Sequence, residues 1–373
     1  MKLFDVYPLY DVEPIRAKDV YVYDAKGTEY LDLYGGHAVI SIGHSHPHYV
    51  ASLKDQIDKI GFYSNAIQNP LQQVLADEIG EQSCLEDYQL FLCSSGAEAI
   101  ENALKMASFH TQKKRVIAFE KAFHGRTSAA VATTDNPRIA APLNQQQEVC
   151  FLPFNDRKRL ETELQKGDVC AVIFEPIQGV GGLDMPSTDF IQEMEVLCQT
   201  YGCCLIADEV QSGFSRSGYF FAFQKTNIRP HVITMAKGMG NGFPVGGILI
   251  HPDLKAQYGL LGTTFGGNHL ACRAALAVLD VLKKEKLQAH AQTMEAYFRQ
   301  KAASLPKAKV KGSGLMLGLA FDFEVGTLRK RLIEEKHIFT GGSSDKNVLR
   351  ILPPLTVQTH HLDQFFTALN DLL

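Results

Sequence analysis

The chain has 373 residues, 45% of them hydrophobic and 21% charged, which is ordinary for a globular protein and long enough for two domains. Its formal net charge of −4, with Lys and Arg dispersed, gives no electrostatic basis for binding nucleic acid or an anionic membrane. No uncharged apolar run approaches about 18 residues, so no membrane span is expected, and residues 1–10 lack the basic region and long apolar core of a secretory signal.

In chain order, residues 18–34 read as a hairpin, with Tyr21-Val22-Tyr23 and Glu29-Tyr30-Leu31 on either side of a turn at Asp24-Ala25-Lys26-Gly27. The alternating histidines of His44-Ser45-His46-Pro47-His48 suggest metal ligands, but Gly43 and Pro47 mark a turn, and no metal is expected. From about residue 90 to 250, strand-like runs (90–93, 115–120, 148–154, 170–177, 203–210, 231–236, 245–251) alternate with amphipathic helical segments such as 97–107 and 190–201. Several of these runs are apolar nearly throughout. That is the pattern of strands covered on both faces, as in a doubly wound, mostly parallel α/β sheet. After residue 268 come helical runs at 269–284 and 287–304, two short strands (314–323 and 347–352) and a terminal helix over 362–373. The expected division is a large domain over 46–267 and a smaller α+β domain built from residues 1–45 and 268–373. The eight cysteines include no Cys-x-x-Cys pair, and four of them (Cys93, Cys170, Cys203, Cys204) lie in apolar runs, as reduced thiols of a cytosolic protein do.

The most informative stretch is Ile233-Thr234-Met235-Ala236-Lys237-Gly238-Met239-Gly240. It sets one lysine between a buried strand and a glycine turn, at the strand end where α/β proteins place their chemistry. Held there and desolvated, Lys237 has a lowered pKa and can form a Schiff base. The following glycines lack the Gly-x-Gly-x-x-Gly spacing of a dinucleotide loop. Upstream, Cys204-Leu205-Ile206-Ala207-Asp208 is a buried strand that ends in an acid. A carboxylate there is costly unless it faces a protonated heterocyclic nitrogen such as that of pyridoxal phosphate; a helix cap or a surface acid is the alternative.

Other stretches fit the same chemistry. Ser94-Ser95-Gly96-Ala97 opens a helix whose free N–H groups would hold a phosphate. Phe123-His124-Gly125-Arg126 offers a flat face and a carboxylate-binding arginine, and here His124 is assigned a structural role. Thr263 and Thr264 lie in a glycine-rich loop with hydroxyls for a phosphate, and Arg350 is a second candidate for a substrate carboxylate.

Together these residues make the sequence resemble the class III (subgroup II) pyridoxal-phosphate aminotransferases, especially their acetylornithine/succinylornithine branch. The matching motifs are Ser94-Ser95-Gly96-Ala97-Glu98-Ala99, Phe123-His124-Gly125-Arg126, Glu175-Pro176-Ile177-Gln178-Gly179, Asp208-Glu209-Val210-Gln211, Ala236-Lys237-Gly238 and Thr263-Thr264-Phe265-Gly266-Gly267-Asn268, in the family's order and spacing.

The resemblance implies fold type I and a set of roles. Lys237 would carry the cofactor and shuttle protons, and Asp208 would pair with the pyridine nitrogen. Gln211 would contact the ring hydroxyl, with Val210 and Phe123 on the two ring faces. Ser95, Gly96 and Ala97 would bind the phosphate. Thr264 would reach the phosphate of the neighbouring subunit's cofactor, which makes a homodimer obligatory. Arg126, with Thr263 nearby, would bind the donor's carboxylate, and Arg350 the α-carboxylate of glutamate or 2-oxoglutarate.

The implied reaction moves the δ-amino group of N2-acetyl- or N2-succinylornithine to 2-oxoglutarate, as in arginine biosynthesis in the cytoplasm. The alternative donors are ornithine, 4-aminobutyrate or another ω-amino acid. A cofactor-binding protein without turnover, and a lysine-dependent mutase or decarboxylase, are the readings from other classes. One departure stands out. Relatives usually continue Gln178-Gly179 with a glutamate that masks the arginine matching Arg350, and this chain has Val180. Arg350 is therefore expected to be unmasked, or paired with another acid such as Glu175.

Overall fold

The computed structural model describes residues 1–305 and 308–373. Its strands in chain order are β1 (Pro14–Lys18), β2 (Tyr21–Asp24), β3 (Glu29–Asp32), β4 (Gln89–Cys93), β5 (Arg115–Phe119), β6 (Val149–Leu152), β7 (Val169–Phe174), β8 (Cys204–Asp208), β9 (Val232–Met235), β10 (Gly246–Ile250), β11 (Lys309–Ser313), β12 (Met316–Ala320), β13 (Ile338–Phe339) and β14 (Val348–Ile351).

Seven of them form one sheet in the order β4-β10-β9-β8-β7-β5-β6. β10 runs antiparallel to both neighbours, and the other pairings are parallel. All seven match strand-like runs of the sequence, trimmed by a residue or more at some ends. The central strands are apolar because they are enclosed: all six residues of β7 and all five of β8 are buried.

Helices cover the sheet, and their ends follow local chemistry. Ser95 caps the helix Gly96–Thr111 by accepting from the Glu98 N–H at 3.2 Å. That helix buries Ala99, Ile100, Ala103, Leu104 and Ala107 at three- and four-residue spacing, and it ends where Gln112 turns left-handed. It runs four residues past the expected stretch, and in that last turn Thr111 Oγ1 donates to the Ala107 carbonyl while Ser108 Oγ donates to the carbonyl of Lys113 beyond the helix end.

β1, β2, β3 and β13 form a second sheet, in which β13 pairs parallel to β3 and so joins residues from both parts of the chain. β11, β12 and β14 form a third. The hairpin of β2 and β3 is present as expected. β1, β11 and β13 were not anticipated. β1 and β11 are largely exposed or half-buried and carry little apolar periodicity, and β13 has only two residues.

Arg216 ties these parts together. It is 2% exposed, and its guanidinium donates to the carbonyls of Leu315 (3.1 Å), Ile40 (3.2 Å) and Pro353. Burial pulls its pKa down to about 9. Three segments far apart in sequence thus converge on one cation. Arg216→Ala leaves three carbonyls, two of them buried, without this donor and should cost about 3 kcal/mol or more. An unfolding midpoint equal to that of the parent in calorimetry would show that this junction contributes nothing.

Candidate functional site

The parallel strands end on one rim. β4 leads into Ser94, β5 towards Phe123, β7 into Glu175, β8 ends at Asp208 and β9 leads into Lys237. These residues line a cavity of about 300 Å³ together with Val39, Gly179, Val180 and Val210. It lies outside the carboxyl ends of the strands, where open α/β sheets bind ligands.

At one end the turn before Gly96–Thr111 is shaped for an anion. Glu98 accepts from the Ser94 N–H at 2.7 Å while Ser95 accepts from the Glu98 N–H, a reciprocal cap. The N–H groups of Gly96 and Ala97 belong to the first helical turn and have no intrahelical acceptor. A Cβ on Gly96 would stand 2.7 Å from Val210 Cγ1, so only glycine lets the turn pass beneath that side chain. Val210 and Phe123 are both half-buried and line the cavity, leaving an apolar slot.

Asp208 is 5% exposed, and three of its roughly four acceptor positions are taken, which leaves one on Oδ2. Oδ1 accepts from the Val210 N–H at 3.0 Å and from Thr234 Oγ1 at 3.1 Å, and Oδ2 lies 2.6 Å from His124 Nδ1. A carboxylate only accepts, so Nδ1 carries the hydrogen. That leaves His124 Nε2 buried without a partner, and Gln211 Oε1 is likewise unpartnered. Two orphaned buried polar atoms on one cavity wall call for a polar occupant. His124 has the structural role expected of it, though its partner was not legible in the sequence. It positions Asp208 across 84 residues of chain, and no local pattern signals such a contact.

Lys237 is one of the few non-glycine residues with positive φ, at 45°. Burial lowers its pKa; Asp208 and Glu175 oppose that shift, and Arg350 adds to it. Glu175, 6% exposed, is pushed up to about 7, chiefly by burial, with Asp208 adding to the rise and His124 opposing it. It accepts the N–H groups of Phe123 and Gly179, each at 2.9 Å, and so fixes both the slot and the turn opposite.

Glu175 therefore does not pair with Arg350, which corrects one of the two expectations for that arginine. Arg350 is 4% exposed and donates to the carbonyls of Gly342 (2.5 Å) and Gly179 (2.7 Å), with Tyr34 Oη at 3.4 Å. No described carboxylate pairs with it. Val180 is held by its carbonyl, which accepts from the N–H (2.9 Å) and Oγ (3.0 Å) of Ser344.

Arg350 reaches the cavity only through the Gly179 carbonyl and does not line it, and the remaining candidates lie outside it as well. Arg126 and Thr264 are exposed. Thr263 is half-buried, and its Oγ1 accepts from the Gly266 N–H at 3.0 Å. His44, His46 and His48 point to three different acids, Asp32, Glu285 and Asp280. No group of three metal-ligating side chains gathers among the described residues. At the cavity mouth Gly35, Gly36, His37 and Ala38 all have positive φ, between 53° and 70°. Such left-handed turns cost about 1–2 kcal/mol for each non-glycine residue, and strain of this kind collects at functional sites. Gly35-Gly36 was the only trace of it in the sequence. No helix among the described residues is long and apolar enough to cross a membrane.

A family model described as aminotransferase class-III matches residues 7–373. The acetylornithine aminotransferase of Aquifex aeolicus is 37% identical, over 100% of this chain and 99% of its own length. The crystal structure of acetylornithine aminotransferase from Elizabethkingia anophelis superposes with a TM-score of 0.85 at 28% identity, covering 98% of this chain and 94% of that one. An ornithine aminotransferase from Toxoplasma gondii, with PLP at partial occupancy in its active site, gives 0.89 at 27% identity, covering 98% and 90%.

Glu209, next to Asp208, supplies a test of the buried acids. It is 1% exposed, accepts from Ser212 Oγ (2.6 Å) and the Phe223 N–H (2.9 Å), and burial pushes its pKa up to about 7 from an ordinary 4.5. The folded carboxyl keeps its proton up to about pH 7, whereas the unfolded one loses it near 4.5. Raising the pH through that window therefore costs folded-state stability. Glu209→Gln should gain on the parent from pH 4.5 to 7 and run parallel to it below pH 4.5. A midpoint difference that does not vary with pH would remove Glu209 as the source.

Proposed function

The chain belongs to the class III aminotransferases, which are pyridoxal-phosphate-dependent, and from that premise we propose that its amino donor is an N2-acylated ornithine and its acceptor 2-oxoglutarate. The observation that carries the donor is similarity along the full length to acetylornithine aminotransferases. The products are the N-acyl glutamate semialdehyde and glutamate, a step of arginine biosynthesis in the cytoplasm.

The cavity fits the cofactor. An anion-binding helix end, an apolar slot between Phe123 and Val210, a buried acid, an amine and two orphaned polar atoms are the features a phosphorylated pyridine needs. Ser95, Gly96 and Ala97 would hold the phosphate, Asp208 the ring nitrogen and Gln211 the ring hydroxyl, and Lys237 would attach the group through its carbonyl carbon. The bound group supplies an electron sink for the carbon that loses its proton.

The chain's own residues do the rest. His124, Thr234 and the Val210 N–H hold Asp208 in one orientation. Lys237, with its pKa lowered by burial, has a larger neutral fraction; once the donor's amine has displaced it, Nζ would take the proton from the δ-carbon and give it up to the carbon that Lys237 had held. Val39, Phe243 and Pro244 add apolar surface to the cavity wall. Arg126, with Thr263, binds the donor's carboxylate, and Arg350 the α-carboxylate of the keto acid.

The active unit is a homodimer. The exposed Thr264, together with the exposed apolar Phe62, Tyr63, Ile67, Tyr258 and Phe265, supports a surface covered by a second copy, to whose cofactor phosphate Thr264 contributes. The large domain spans 46–267, and the small one takes residues 1–45 and 268–373, a division supported by the pairing of β13 with β3.

The test is the absorption of the cofactor during titration with N2-acetylornithine, N2-succinylornithine, ornithine and 4-aminobutyrate without keto acid. Conversion by an acylated ornithine at low concentration is expected. Conversion by ornithine or 4-aminobutyrate alone would move the enzyme to a sister branch, a reading that the likeness to the Toxoplasma gondii enzyme keeps in view.

Val180 offers a second test. Arg350 donates to the carbonyl of the adjacent Gly179, so a glutamate in place of Val180 brings an acid to the arginine's side of the cavity. Val180→Glu should raise KM for 2-oxoglutarate about tenfold and shift specificity between glutamate and the acylated donor. Unchanged specificity for both amino substrates would show that the missing acid has no consequence.

A further inference from the structure

Many of the arginines have found acids: Arg115 pairs with Glu163 and Asp168, Arg229 with Asp87, and Arg331 with Glu335. Arg329, two residues before Arg331 on the helix Gly326–Lys336, has not. Its Nε donates to the Thr340 carbonyl at 2.9 Å. Its guanidinium stands 5.6 Å from the centre of the Tyr10 ring and 6.0 Å from that of Tyr34. Arg350 stands 5.8 Å from the same Tyr34 ring. One phenol is thus flanked by two guanidiniums, and neither pairs with a carboxylate among the described residues. Like charges gathered around one ring without an anion are an unfavourable arrangement that a bound anion would relieve.

The cluster continues to the reacting centre through His37. Its Nδ1 lies 2.6 Å from Tyr34 Oη, and its carbonyl accepts from Gln211 Nε2 at 3.2 Å, which ties it to the cavity wall. Its imidazole pKa is lowered by burial, and then by Arg350, Lys237 and Arg329, so one side chain feels both the reactive lysine and the outer arginine. His37 is exposed and Tyr10 is 39% exposed, so the outer end is open to solvent. Arg350 meets the need of one substrate carboxylate, and Arg329 is a cation in excess of that need.

We propose that Arg329, with Tyr10 and His37, forms an outer anion subsite for the terminal carboxylate of a dicarboxylic acyl group, so that a succinylated ornithine is preferred over an acetylated one. The proposal rests on the acylated-ornithine reading above. A guanidinium with its Nε already held presents its remaining N–H groups to a carboxylate, and the Tyr10 ring limits the orientations it can take. An acetyl group ends in a methyl and can use none of this.

The experiment is calorimetric titration of the holoenzyme with N2-succinylnorvaline and N2-acetylnorvaline, which lack the reacting amine. The succinyl compound should bind about tenfold more tightly, the worth of one charge-assisted contact at a half-exposed site. In Arg329→Gln that ratio should fall to near one, and in Arg329→Lys part of it should survive. Equal affinities in the parent enzyme, a test that needs no variant, overturn the subsite while leaving the acylated donor intact. A ratio that survives Arg329→Gln overturns it as well. Binding of neither compound refutes the acylated-ornithine reading, and the subsite with it.

Discussion

Three carboxyl groups taken out of water at the ends of adjacent strands are the constraint around which this site is built. Glu175 follows β7, and Asp208 and Glu209 close β8; none is more than 6% exposed. A lone buried carboxylate costs several kcal/mol, so each must be met by donors or keep its proton. The three answers differ. Asp208 is met by a histidine, a hydroxyl and a backbone N–H. Glu175 takes two backbone N–H groups and Glu209 one N–H and a hydroxyl, and both have pKa values raised to about 7. Neighbouring acids thus differ in environment, and such differences separate roles within one site.

The donors that meet these acids also set the cavity's shape. Glu175 orders Phe123 and Gly179 at once, so one carboxyl group holds the wall of the slot and the turn facing it. A Cβ on Gly179 would collide with Gln211 Oε1, so that turn must be glycine if Gln211 is to face the cavity. The carbonyl of Gly179 in turn receives Arg350. A chain of contacts therefore runs from a buried acid through a glycine turn to the buried Arg350. Val180 sits in that chain with its backbone fixed by Ser344, which explains how the turn stays in place without an ion pair.

Much of this was legible in the sequence, for physical reasons. The central strands of the main sheet announced themselves because both faces are buried, so each reads as an apolar run, and the edge strands β4 and β6 are half-buried but still mostly apolar. Lys237 and Asp208 were legible because a charged residue at the end of such a run has few cheap explanations. What stayed hidden depends on contacts between distant parts of the chain. The reversed direction of β10 follows from its neighbours rather than from its own residues. The bond between His124 and Asp208 spans 84 positions, and that between Arg350 and Gly179 spans 171. β1 and β11 lie at the surface and have no core-facing periodicity to betray them.

The arginines show the difference between naming a residue and knowing its state. Sequence placed Arg350 on a strand near the site and left open whether an acid covers it. The structure satisfies it with carbonyls, which are neutral acceptors, so the full positive charge remains to be answered. Burial lowers the pKa of this guanidinium, with Arg329 adding to the shift. A guanidinium so far removed from water gains more from an incoming carboxylate than an exposed one does, because the desolvation has already been met in folding. The carbonyls of Gly342 and Gly179 keep the fork oriented, and an anion need displace no described acid to reach it. What surrounds the arginine is then Tyr34, with His37 beyond it on the strained turn, and no carboxylate among the described residues covers it.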